Sequence, residues 1–124
     1  TKDEVLVFKI LCLWNRFSEE NHIPDHRADL HKTTLLFFEF CLSIRDINDI
    51  LYRTGHQKVI LDVYLKVLAP DKQEEDIPTY YKQYGTAYAL YGIVNAWILR
   101  GYRETPEQMV EILYNLDEKR EEKI

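Results

Sequence analysis

From Tyr84 to Leu99 the chain carries no charged side chain, and this stretch sits inside a single helical segment opened by Pro78 and closed by Gly101. Five of the nine tyrosines fall between Tyr80 and Tyr91. A helix that is apolar nearly all round must be covered on several sides. In a chain of 124 residues it is therefore either the central spoke of the domain or part of a subunit interface. Four glycines and four prolines are too few for the many tight turns of a β-sandwich. The fold class that follows is all-α, a bundle of about five helices in one domain.

The remaining helices read from their periodicity and their stops. Thr1 and Glu4 form a capping box, in which a hydroxyl and a carboxylate satisfy free amides reciprocally. The helix from Asp3 to Glu20 then turns Leu6, Ile10, Leu13, Trp14 and Phe17 to one side, with Lys9 and Arg16 on the wet side. Pro24 and the polar residues around it break the chain. A second helix from about Leu30 to Arg53 carries Phe37, Phe40, Cys41, Ile44, Ile47 and Leu51, opposite Glu39, Asp46, Asp49 and Arg53. Gly55 stops it, since glycine tolerates the left-handed conformation that closes helices. A third helix, Gln57 to Leu68, buries Ile60, Val63, Tyr64 and Val67. After the acidic connection Asp71–Asp76 comes the long helix, Pro78 to Arg100. The last helix opens on a second box, Thr105 with Gln108, and presents Met109, Ile112, Leu113 and Leu116. From Asp117 onward the charged residues 117–124 have nothing to bury and read as a frayed tail.

Several function classes drop out. A net charge of −5 offers no basic face for phosphates. No apolar run approaches the roughly 18 residues of a membrane span. The opening Thr1-Lys2-Asp3-Glu4 lacks the layout of a secretory signal. Cys12 and Cys41 lie in apolar runs and read as buried free thiols, which suits a cytoplasmic protein. No phosphate-cradling glycine loop, nucleophile elbow or paired-cysteine motif is present, so neither an enzyme nor a cofactor is expected. One metal-like stretch runs from His22 through Asp25, His26 and Asp29 to His31. Pro24 separates its histidines from a common helical turn, so it reads as a polar loop and not a metal site.

Two strips on the long helix carry the functional reading. Tyr84, Tyr88, Tyr91 and Asn95 share a narrow line at about 100° per residue, a polar-tipped aromatic edge suited to orienting a mostly hydrophobic small molecule. With Trp14, Phe17, Phe37, Phe40, Cys41 and Tyr64, the residues Tyr84 and Tyr88 make the candidate ligand-binding set. Gly85, Ala89, Gly92 and Ala96 form the second strip. Each interior glycine costs a helix up to about 1 kcal/mol against alanine, so close approach of another helix is the gain that would offset it. Joined by Met109 and Leu113, this strip is the candidate homodimer interface.

The opening Thr1-Lys2-Asp3-Glu4-Val5-Leu6 resembles the segment that follows the helix-turn-helix head in tetracycline-repressor-like (TetR family) regulators. The stretch Tyr88–Ile98, then Gly101 and Thr105–Met109, resembles the paired final helices of their C-terminal domain. The resemblance implies that residues 1–124 are a ligand-binding and dimerisation domain, with the DNA-binding domain absent from this chain. It further implies a dimeric four-helix bundle of the last two helices, and a pocket for a small, often apolar effector whose binding repositions the helix Asp3–Glu20. DNA would then be contacted only through the missing head. The rival reading is a structural dimerisation module with a solid aromatic core. A connected void of some ~300 Å³ or more favours the sensor, and tight packing throughout favours the rival.

Overall fold

The computed structural model describes residues 1–22, 30–68 and 76–122, with the side chains of the last helix described up to Asn115. Six helices and no strand occur among the described residues: α1 (Lys2–Glu20), α2 (Leu30–Ser43), α3 (Arg45–Arg53), α4 (Lys58–Leu68), α5 (Ile77–Leu99) and α6 (Pro106–Glu122). The expected Pro24 break, most of the histidine stretch and the Asp71–Asp76 connection lie outside these residues, apart from Asp76, which stands at the N-cap position of α5 without a side-chain capping bond.

Both capping boxes form. The Glu4 amide donates to Thr1 Oγ1 at 3.2 Å, and the Thr1 nitrogen reaches Glu4 Oε2 at 3.2 Å. At α6 the Gln108 amide donates to Thr105 Oγ1 at 3.2 Å, while the Thr105 amide donates to Gln108 Oε1 at 2.8 Å. The α6 box pairs two amides that a helix start leaves free, and the α1 box pairs one amide and the amino terminus of Thr1. The end of α1 is closed by Asn21, whose Nδ2 donates to the Phe17 carbonyl at 2.9 Å.

The single helix expected over Leu30–Arg53 is two. The chain bends at Ile44, the Ser43 hydroxyl donates to the Phe40 carbonyl at 2.7 Å, and Asn48 Nδ2 donates to the Cys41 carbonyl at 3.2 Å. Asn48 is thereby buried with Leu51, while Asp46, Asp49 and Arg53 stay in water. A buried amide needs a partner, and the carbonyl freed by the bend supplies one. No proline or glycine marks this position, so the break has no local sequence signal.

The core is built by α4, which packs on α1 along one flank and on α5 along the other, while α2 packs on α6. Burial on two flanks explains why Val59 and Leu61 are buried with Ile60, Val63 and Tyr64. Val67, expected inside, lies beyond this sandwich and is exposed. Val7 and Phe38 also join the core. Leu116 and the side chains of the charged tail lie outside the description, but the α6 backbone stays helical to Glu122, past the expected fraying point at Asp117.

Trp97 ties α5 to its neighbours. It is 1% exposed, makes edge contacts with Phe38 and Tyr102 at 5.6 and 5.1 Å, and donates from Nε1 to the Glu104 carbonyl at 2.9 Å. The turn into α6 holds two successive left-handed residues, Gly101 at φ 72° and Tyr102 at φ 56°. The Gly101 and Tyr102 amides return to the Ile98 and Trp97 carbonyls at 2.9 and 3.0 Å. Arg100 grips Glu104 with Nε and Nη2. Truncation of Trp97 to alanine empties the centre of this packing and orphans the Glu104 carbonyl. Trp97→Ala should cost about 3–5 kcal/mol, read from the urea midpoint of unfolding.

Candidate functional site

The aromatic residues of α1 meet those of α2 ring to ring. Trp14 and Phe17 lie 5.1 and 5.4 Å from Phe40 and 6.2 Å from each other. Behind them Phe37 packs edge-on against Phe38 and Tyr64 at 5.4 and 5.3 Å. Cys41 Sγ lies 3.6 Å from the Tyr64 hydroxyl. Burial pushes the Cys41 thiol up to about 12 and the Tyr64 hydroxyl well above its usual range, since neither anion would be solvated there. The structure thus brings Trp14, Phe17 and Phe40 into one cluster and Phe37, Cys41 and Tyr64 into an adjoining one.

Tyr84 and Tyr88 lie elsewhere. They belong to a ladder of rings along α5, with Tyr80 to Tyr84 at 5.8 Å and Tyr84 to Tyr88 at 5.5 Å. Tyr88 is 49% exposed, and among the described residues no ring contact joins it to Trp14 or Phe37. The same edge of α5 also carries a polar pairing that the sequence pattern left out. The Tyr52 hydroxyl donates to Asn95 Oδ1, tying α3 to α5. Burial first, then the neighbouring Tyr91 and Tyr102, pushes Tyr52 up to about 12. Tyr102 is also pushed up to about 12 by burial, against a smaller lowering from Asn48.

A groove of about 730 Å³ opens beside this edge, between the first half of α1, the middle of α4 and Tyr84 of α5. Val7, Phe8, Leu11 and Leu65 give it an apolar lining, and Asp3, Glu4, Asp62 and Lys66 edge it. Of the candidate ligand residues, Tyr84 alone lines it. Just beyond, His56 Nδ1 lies 3.0 Å from Asp3 Oδ1 and links the turn before α4 to the first turn of α1. The groove collects residues from three helices, so no single stretch announces it. Its one local sign is Phe8, a large aromatic ring left 67% exposed.

The small-residue strip faces outward. Gly85, Ala89, Gly92 and Ala96 are all exposed, and a Cβ added at Gly85 or Gly92 would meet nothing within 4 Å. Tyr81, Tyr88 and Leu99 are exposed apolar residues of the same helix, whose inward side is filled by Ala87, Val94 and Trp97. On α6 the structure places the candidate interface residues inward: Met109 is 6% exposed and Leu113 packs against the core. Ile112 is the exposed apolar residue of that helix.

His22 is exposed, and His31 stacks on Tyr114 at 5.2 Å, while Asp25, His26 and Asp29 lie outside the described residues. Among the described residues no group of three potential ligands is placed to hold a metal ion, and no helix is long and apolar enough to cross a membrane. Cys41 is buried, but Cys12, expected inside, is exposed because α1 turns only one flank to α4.

The described helices thus form an all-α bundle whose long helix α5 is uncharged from Tyr84 to Leu99 and turns tightly into α6. Residues 39–119 match the family model of the transcriptional regulator C-terminal region of TetR type, and the chain belongs to that family. Comparison with curated proteins and with solved structures gives no match.

Two measurements check the buried groups. At pH 8 a maleimide should modify Cys12 rapidly, and Cys41 only after denaturant is added. Tyr52 and Tyr102, with usual values of 10.0, titrate near 12 when folded, and the Cys41 thiol is raised from 9.0 in the same direction. The folded state therefore holds these protons more tightly than the unfolded one. The associated stability is fully present below about pH 9 and is lost as pH rises toward 12. Urea midpoints taken from pH 8 to 11.5 should fall across that window.

Proposed function

We propose that this chain is the effector-sensing and dimerisation domain of a cytoplasmic TetR-like transcriptional regulator whose DNA-binding head lies outside it. The observation that carries the dimer is the outer face of α5, uncharged from Tyr84 to Leu99 and lined by Gly85, Ala89, Gly92 and Ala96. Two glycines weaken this helix without making any close contact inside the protomer. A second copy laid against the strip supplies the missing gain, with backbones approaching closely across it and Ile112 at its α6 side. The two copies would form a four-helix contact from α5 and α6.

The effector is a small, mostly apolar molecule that binds against α1. In support, α1 rests on the ring cluster at Phe40 along its second half and borders an open groove along its first half. A ligand that prefers one seating of α1 shifts the population of that seating, and with it the spacing of the two heads. A coupling of about 1–3 kcal/mol is enough for a useful change in operator affinity.

The direct ring contacts among Trp14, Phe17 and Phe40 favour a second reading, a ligand-free dimerisation module. Under that reading small molecules leave α1 unmoved. The dimer itself is tested by sedimentation. The chain should be a dimer at micromolar concentration, and Gly92→Glu should give a monomer of unchanged helicity, because the added side chain meets only open space within the protomer. A monomeric parent chain would overturn the proposal.

A further inference from the structure

The groove between α1 and α4 has a lining whose chemistry selects its occupant. Its floor is Val7, Leu11 and Leu65, and its aromatic walls are Phe8 and Tyr84. At about 730 Å³ it falls within the size range of small-molecule sites. The charges around it are unequal: three carboxylates, Asp3, Glu4 and Asp62, share its rim with two ammonium groups, Lys66 and the Thr1 amino terminus. Asp3 is engaged by His56 and Glu4 by the Thr1 nitrogen. Asp62 enters no ion pair among the described residues, although it is partly buried midway along α4. This half-covered carboxylate shares the groove with the rings of Phe8 and Tyr84, and Lys66, four residues on, does not pair with it.

We propose that this groove binds an organic cation with an apolar or aromatic body, its charge held by Asp62 and by the faces of Phe8 and Tyr84. Aromatic rings attract cations through their negative faces, most strongly when water is excluded. An anionic ligand would meet the carboxylate rim, and a neutral one would leave Asp62 unanswered. The apolar body would lie on Leu11 and Leu65, touching α1 and α4 together. That the ligand thereby acts on α1 rests on the effector reading above. The binding itself does not.

The test uses the whole chain and a matched pair of probes: 4-phenylbutyl-trimethylammonium and its neutral isostere, in which a tert-butyl carbon replaces the nitrogen. Calorimetry should show the cation binding at least about tenfold more tightly, the span that a cation–aromatic contact and one carboxylate provide. Asp62→Asn should remove most of that preference, and Phe8→Ala should weaken the cation several-fold. Asp49→Asn, in the separate acidic hollow on α3, should change nothing. Equal binding of both probes, binding of neither, or an equal loss with Asp49→Asn would overturn the inference. Cation binding without movement of α1, read by amide exchange along Lys2–Glu20, would leave the groove's specificity standing and sink the effector reading instead.

Discussion

Helix α4 is held between α1 and α5, and the positions of both depend on it. Val59, Ile60, Leu61, Val63 and Tyr64 are all buried, so its middle turns are covered on both flanks and open only along Asp62, Leu65 and Lys66. Interiors packed to crystal-like density do not deform smoothly, and a neighbour of such a helix moves only by reseating its side chains. For α1 that means sliding Val7 and Ile10 over α4 and Trp14 and Phe17 over Phe40. The His56–Asp3 contact sits at one end of this surface and the ring cluster at the other. Between these two contacts α1 has few ways to move.

On the opposite flank α5 resolves the alternatives that its sequence leaves open. One side of it is a domain core, closed by Ala87, Val94 and Trp97. The other is a surface of small and aromatic residues that the protomer leaves bare. The spoke and the proposed interface are thus two faces of one helix. The edge between them carries Tyr84, Tyr91 and Asn95, and there the polar tips find work: Asn95 accepts from Tyr52, and Tyr84 closes the groove.

What could be read from the chain beforehand was whatever depends on neighbours in sequence. Capping boxes at Thr1 and Thr105, the stops at Gly55 and Gly101, and the ends of α1, α4 and α5 are local chemistry. The bend at Ile44 was not legible, because its cause is a buried amide seven residues from the Cys41 carbonyl that it serves. Val59 and Leu61 were missed because one-faced periodicity does not describe a helix covered on two flanks. Met109 was assigned outward for the same reason: a stripe shows that a face is apolar, not which of two apolar surroundings it meets. The aromatic residues of α1 and α2 were recognisable as partners. Their separation from Tyr84 and Tyr88 depends on where α4 lies, which no pattern within α5 reveals.

The return from α5 into α6 divides the labour of the molecule. Consecutive left-handed residues, the Trp97 indole on the Glu104 carbonyl and the Arg100 grip on Glu104 fix the turn that joins these two helices. Among the described residues nothing comparable fastens α1, whose contacts with its supports run through side chains. Under the proposed effector reading, α1 would be the part of the bundle free to shift and the α5–α6 turn the part that stays in place.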